Sequence, residues 1–209
     1  MKLEYARVGE LPTNCYIISD EKSGESAAID CAVYDTVYEA MLKRAGIKNL
    51  KYILLTHGHF DHICGAAALR EKYGGKICIH PADARCLESE AASLNAYVGF
   101  CDQTPCCADM LLNDGDRLFL GKTEIGVIHT PGHTPGGVCF TAENYLFCGD
   151  SLLRLSAGRT DLPGGSAKTL RESLIKLCGL SENYILLPGH GEKSTLYFEK
   201  DNNIYMRQI

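Results

Sequence analysis

Nowhere in this chain of 209 residues does an apolar run approach the roughly 20 residues that a helical membrane span requires, so no membrane-spanning helix is expected. Basic runs are missing as well. With a formal net charge of -5, the chain lacks the positive footprint that nucleic acids and anionic membrane surfaces select, and the expected partner is a small molecule. The opening segment MKLEYARVGELPTN has no basic region followed by an apolar one, so no export signal is read and the cytoplasm is the expected compartment. A zinc-knuckle pattern is also lacking: the 11 cysteines include no two closely spaced matching pairs, and Cys101, Cys106 and Cys107 have no histidine beside them. Small buried thiols in a reducing compartment are expected, with Cys106 and Cys107 as candidates for exposure and redox chemistry. No repeat, low-complexity segment or linker divides the chain, and its length suits one domain over residues 1–209. No element of this composition specifies a function.

What is present is an alternation of strands and helices. Lys2 to Val8, Cys15 to Ser19 and Ser26 to Asp30 are β-prone runs separated by turn chemistry. Apolar spacing gives a helix over 34–45, stopped by Gly46. KYILL (51–55) reads as a buried strand, ICGAAALREKY as a helix, KICIH as a strand and PADARCLES as a helix begun by proline. Periodicity fades over 90–113, which reads as a surface excursion or lid. DRLFL, TEIGVIHT, GVCFT and YLFCG follow as strands, then a helix over 167–177 and a closing strand in YILLPGHG.

Histidine is concentrated where these strands end. THGHFDH (56–62) holds three of the seven histidines and leaves the C-terminal end of a strand. His133 lies in TPGHTPGG, Asp150 ends YLFCGD and His190 ends YILLPGH, so each occupies a turn after an apolar strand. Three imidazoles and a carboxylate side by side repel one another if protonated and lose solvation if buried, unless a cation compensates. His57, His59, Asp61, His62, His133, Asp150 and His190 are too many ligands for one four-coordinate ion. The natural division gives His57, His59 and His133 to one divalent metal and Asp61, His62 and His190 to a second, with Asp150 bridging. Imidazole and carboxylate donors without thiolate favour zinc and admit iron or manganese. His80 and His129 are read as a helix cap and a turn contact, not ligands.

The ordered set H-x-H-x-D-H, PGHTPG, GDS and PGHG resembles the metallo-beta-lactamase superfamily along essentially the entire chain. The resemblance implies an α/β fold, the four-layer αββα sandwich. An aspartate at 150 is similar to the hydroxyacylglutathione hydrolases (glyoxalase II) and unlike true beta-lactamases, which commonly carry cysteine there; antibiotic hydrolysis is not expected. CGDSLLRLSAGRTDLPGG (148–165) resembles the short glyoxalase II-like branch, where a basic residue at the position of Arg159 contacts glutathione. Two departures stand out. Asp161 and Glu192 occupy places where glyoxalase II typically has glutathione-contacting tyrosines, and only 19 residues follow His190, short of the usual helical substrate domain. Arg159 has a second reading, in which it pins its own loop by pairing with Asp161.

The expected activity is dinuclear metal-dependent hydrolysis of a small thioester such as S-lactoylglutathione. Metal lowers the pKa of bound water from 15.7 to about 7, so a bridging hydroxide attacks the carbonyl, with Asp61 and Asp150 as the catalytic carboxylates. LLRLSAGRTDL also resembles the persulfide dioxygenases, which use one iron; His57, His133 and Asp150 would hold it here. Lactonase activity and a non-catalytic metal-binding module are the remaining alternatives.

Overall fold

The computed structural model describes residues 1–207. The first sheet is built from β1 (Lys2–Val8), β2 (Thr13–Ser19), β3 (Ser26–Ile29), β4 (Tyr52–Leu54), β5 (Lys76–Ile79) and β6 (Met110–Leu111), in that order across the sheet. Between them come α1 (Thr36–Ala45), α2 (Phe60–Ile63), α3 (Ala66–Tyr73), a 3-10 helix over Pro81–Leu87 and α4 (Asn95–Val98). β1 to β3 are antiparallel hairpins, whereas β3, β4, β5 and β6 run parallel, as strands joined by crossover helices must. The second half supplies β7 (Arg117–Leu120), β8 (Thr123–His129), β9 (Val138–Ala142), β10 (Tyr145–Gly149), a small hairpin of β11 (Leu152–Leu153) and β12 (Ser156–Ala157), α5 (Ala167–Cys178), β13 (Ile185–Pro188), β14 (Ser194–Thr195) and α6 (Leu196–Asn202). Its sheet has the order β14-β13-β10-β9-β8-β7.

The alternation of side chains along a strand assigns neighbours to different layers. Ile18, Leu54 and Cys78 face Ile125, Phe140 and Phe147 in the core between the sheets. Their neighbours Ile17, Ile53 and Ile77 point the other way, onto Tyr38, Met41 and Leu42 of α1 and Leu69 of α3. On the second sheet Cys139, Leu146 and Leu186 meet Leu170, Leu174 and Leu177 of α5 and Leu196 of α6. Each such large side chain, fully buried, contributes about 1.5–3 kcal/mol, and the result is the αββα sandwich. Among the described residues no helix is long and apolar enough to cross a membrane.

Several elements differ from the sequence expectations. Residues 81–87 form a 3-10 helix, since the His80 side chain accepts from the Ala82 amide and fixes a tight first turn. The expected helix 63–73 is two: α2 ends at Ile63, and α3 starts after Gly65, where an added Cβ would strike Cys31 Sγ and, at 2.6 Å, the Tyr34 nitrogen. Gly65 lets the chain turn against the segment that follows β3. Within the excursion 90–113, where periodicity fades, lie two short elements, α4 and β6.

Candidate metal centre

All seven ligand candidates come together at one end of the sandwich. His57 and His59 lie on the loop leaving β4, and Asp61 and His62 follow on α2. His133 sits in the turn between β8 and β9, Asp150 follows β10, and His190 follows β13. Three sets of ligand atoms lie within 4.8 Å of one another: His57, His59 and His133; His57, His62 and Asp150; Asp61, His62 and His190. His59 Nδ1 is 2.9 Å from His133 Nε2. His62 Nε2 is 3.3 Å from His190 Nε2, and Asp61 Oδ2 is 3.1 Å from the latter. The Asp150 carboxylate stands between the sets, Oδ2 at 3.6 Å from His133 Nε2 and 3.7 Å from His190 Nε2, Oδ1 at 3.7 Å from His62 Nε2.

Two atoms in this cluster are buried without any hydrogen-bond partner, His57 Nε2 and Asp150 Oδ1. A buried polar atom left in that state costs about 1–3 kcal/mol, and both point to where a cation would satisfy them. The surroundings fix which nitrogens are free. His133 Nδ1 lies 2.7 Å from the Arg159 carbonyl, an oxygen that only accepts, so Nδ1 carries the proton and Nε2 keeps its lone pair. In the same way Asp30 Oδ2, 2.7 Å from His62 Nδ1, directs the His62 Nε2 lone pair inward. Carboxylate or carbonyl contacts of this kind orient metal-binding imidazoles and raise their basicity. Gly189 leaves the room this requires: a Cβ there would strike Asp150 Oδ1 and approach His62 Cε1 to 2.6 Å.

The electrostatics divide the imidazoles into two groups. Burial pushes His57 well below the ordinary imidazole value, and His62 and His133 push the same way; burial, then His133, takes His59 down to about 4. Neutral rings are what a cation needs. Burial opposes protonation of His62, but Asp30 and Asp61 outweigh it and raise the ring to about 10. Burial alone would raise Asp61, yet His62 and His190 hold its carboxyl below the usual range. In the metal-free protein His57 and His59 are therefore neutral and ready to bind, whereas His62 holds a proton on Nε2 that an incoming cation must displace before that nitrogen can act as a ligand.

Two buried carboxylates absent from the sequence reading organise the site. Asp30 accepts from the Thr56 amide and hydroxyl, both at 2.8 Å, as well as facing His62. Asp83 accepts from the Gly58 amide at 2.9 Å, the Gly136 amide at 2.7 Å and the Thr134 hydroxyl at 2.7 Å. It thus ties the loop of His57 and His59 to the turn of His133. For Asp30 one signal was available, an aspartate closing an apolar strand shortly before a ligand-rich loop. Asp83 offers none.

His80 and His129 lie outside the cluster. Their rings stack at 3.9 Å between centroids, and His129 Nε2 lies 3.0 Å from the Pro135 carbonyl. His80→Ala and His129→Ala are therefore expected to keep full metal content and most activity; loss of a metal equivalent in either would place them in the site. Arg159 lines the cavity above the cluster, but its Nε and Nη2 donate to the two carboxylate oxygens of Asp161 at 2.8 and 2.7 Å. Glu192 is likewise taken, by Arg7 at 2.7 Å.

The cysteines require a correction. Cys101 is bonded to Cys64, so these two are not thiols; Cys107 is exposed and Cys106 half-buried. The bridge joins residues 37 apart in sequence, linking the end of α2 to the segment after α4. Alkylation of the denatured, unreduced protein is expected to label nine of the 11 cysteines and all of them only after reduction; full labelling without reductant would remove the bridge.

A family model described as the metallo-beta-lactamase superfamily matches residues 8–190. Hydroxyacylglutathione hydrolase GloC of Haemophilus influenzae is 31% identical over 214 residues, covering 99% of this chain and 98% of the relative. Among solved structures, BLEG-1 B3 metallo-beta-lactamase superposes with a TM-score of 0.90 at 33% identity, covering 98% of this chain and 99% of that one. The di-iron-bound form of TTHA1623 gives 0.84, also at 33% identity, over 96% and 98%. A B3 metallo-beta-lactamase and a hydroxyacylglutathione hydrolase thus resemble the chain to a similar degree, and likeness alone does not choose between them.

Proposed function

Because the chain belongs to the metallo-beta-lactamase superfamily, we propose that its histidine–aspartate cluster holds two divalent metal ions and hydrolyses a small thioester such as S-lactoylglutathione. The observation that carries the reading is the pair of unsatisfied buried atoms, His57 Nε2 and Asp150 Oδ1, lying where three ligand sets meet. His57, His59 and His133 are assigned to one ion, Asp61, His62 and His190 to the other, and Asp150 to both. Zinc suits these donors, and iron or manganese remain compatible with them. Bound ions supply Lewis acidity and a water made acidic enough to attack near neutral pH.

The chain's own residues supply the rest. Asp150 sets the spacing of the two halves. Asp61, close to His190 and within 3.4 Å of the Thr13 hydroxyl, orients the entering water. In the overall step, water oxygen bonds to the acyl carbon, the C–S bond breaks and its electron pair leaves on sulfur, and the products are a carboxylate, a thiol and a proton. Asp150 in the GDS motif, where true beta-lactamases commonly carry cysteine, favours a thioester over a beta-lactam. The test is an assay of purified protein on S-lactoylglutathione, glutathione persulfide, a lactone and a beta-lactam. Thioester cleavage abolished by chelator and restored by metal is expected; oxygen consumption on the persulfide, or turnover of the beta-lactam alone, would overturn the reading.

Arg159 is the one proposed substrate contact, and its pairing with Asp161 bears on that role. Its charge is already shared with Asp161 through Nε and Nη2, which leaves Nη1 to meet a substrate carboxylate. Its loop also supplies the carbonyl that orients His133. Arg159→Ala is therefore expected to slow a glutathione thioester and an uncharged thioester by the same factor, roughly two- to fivefold, as for other exposed ion pairs. A rise in KM confined to the glutathione substrate would instead establish the carboxylate contact.

A further inference from the structure

Above the cluster lies a cavity of about 710 Å³, within the range of small-molecule sites. His59, Asp61, His133, Asp150 and His190 form its floor, and Leu11, Tyr97, Val98, Phe100, Leu162 and Pro163 its walls. The walls carry no hydrogen-bonding side chain except the Tyr97 hydroxyl and, at the rim, Arg159. Arg159 is the one cation among the described lining residues, and Asp161 neutralises it. In the adjoining groove that shares Leu11 and Phe100, the cation Arg7 is matched by Glu192. Among the described residues that line the cavity and the groove, a tripeptide bearing two carboxylates would find no cation that lacks a carboxylate partner.

The apolar wall is exposed yet held in place. Tyr97 is 75% exposed, and Val98 and Phe100 are nearly half exposed. Such side chains in water normally sit singly; these cluster at the mouth of one cavity. Their backbone is fixed from beneath. The Asn95 side chain donates to the Cys101 carbonyl at 2.8 Å, that of Gln103 to the Cys86 carbonyl at 2.6 Å, and the Phe60 amide to the Ser93 carbonyl at 2.9 Å. The Cys64–Cys101 bond adds a covalent anchor. Phe60, inside the H-x-H-x-D-H motif, meets Phe100 edge to face at 6.0 Å, so the wall is seated directly on the element that carries Asp61 and His62. Apolar area already ordered before binding loses little entropy when a ligand covers it.

We propose that this wall determines specificity, selecting thioesters with an apolar acyl or thiol substituent over anionic glutathione thioesters. The inference rests on the thioesterase reading and refines its substrate class, making S-lactoylglutathione a poorer substrate than a thioester with an apolar substituent. The apolar group lies against Tyr97, Val98 and Phe100, with the thioester carbonyl over the cluster.

The experiment compares acetyl, butyryl and hexanoyl thioesters of N-acetylcysteamine with S-lactoylglutathione, and measures binding of two inert thioethers, S-hexyl-N-acetylcysteamine and S-methylglutathione, by calorimetry. Transfer of each methylene from water to an apolar surface is worth about three- to fourfold in an equilibrium, so kcat/KM is expected to rise roughly tenfold from acetyl to butyryl and again to hexanoyl. S-hexyl-N-acetylcysteamine is expected to bind at least tenfold more tightly than S-methylglutathione. Val98→Asp and Tyr97→Ser, both at exposed positions, should each reduce the hexanoyl-to-acetyl ratio of kcat/KM. Thioester turnover with no dependence on chain length, or with S-lactoylglutathione the best substrate, would overturn the specificity while leaving the thioesterase. Absence of all thioester turnover would overturn the thioesterase, and the thioether affinities would then decide the preference of the wall by themselves.

Discussion

Asp150→Ala is expected to lose metal from both positions and to reduce turnover by at least about 10²–10³-fold, the scale on which removal of one preorganised electrostatic contact acts. The geometry makes this residue different from the six other ligand candidates. Its two oxygens lie 3.6–3.7 Å from nitrogens of His62, His133 and His190, which belong to both halves of the cluster, so its removal unsettles two sites where loss of His59 or His190 unsettles one. Stability separates this effect from misfolding. In metal-free protein Oδ1 is buried without a partner, and deleting an unsatisfied buried acceptor relieves a desolvation cost. Metal-free Asp150→Ala should therefore resist denaturant at least as well as the metal-free parent, while the metal-loaded parent gains a stabilisation that the variant lacks. A variant holding two ions per chain with near-normal turnover would show that Asp150 does not bridge.

Asp30→Asn is expected to weaken metal binding at the His62 position by about 10–100-fold, the usual effect of altering a carboxylate behind a metal-binding histidine. Asp30 is 1% exposed and has a φ of 57°, a left-handed conformation that asparagine tolerates and most residues do not, so the amide keeps the backbone and the shape. What changes is the acceptor opposite His62 Nδ1. An amide can turn its NH2 toward that nitrogen and impose the wrong tautomer, placing the proton on Nε2 where the metal should bind. Metal titrations should show the larger weakening at the His62 site and a smaller one at the site of His57, His59 and His133, because Asp30 also accepts from the Thr56 hydroxyl, which lies 3.1 Å from His57 Nδ1. Equal weakening of both sites, or none, would mean that Asp30 acts on the fold and not through His62.

The ligand candidates were legible because chemistry overrode local structure there: no packing argument places histidines after three different apolar strands in turns rich in glycine and proline. Their supports were hidden for the opposite reason. Asp30 and Asp83 look like ordinary strand-end and first-turn acids, and only tertiary structure shows Asp83 joining Gly58 to Gly136 across 78 residues of chain. The Cys64–Cys101 bond was illegible because spacing does not encode pairing. Short elements escaped too. α6 is only seven residues long, too short for a clear apolar period, and it is held by Glu199, buried and hydrogen-bonded to the Leu155 amide at 2.7 Å and to Asn203 at 2.9 Å. The strand pattern, by contrast, could be read directly, since Ile17/Ile18, Ile53/Leu54 and Leu146/Phe147 are buried on both faces and leave continuous apolar runs.

The most direct test of the two-metal assignment is the metal content of the wild-type protein purified without added metal, determined by elemental analysis against amino-acid quantification. Close to two divalent ions per chain is expected. A reproducible single ion, unchanged when metal is supplied in excess and then removed by gel filtration, would contradict it.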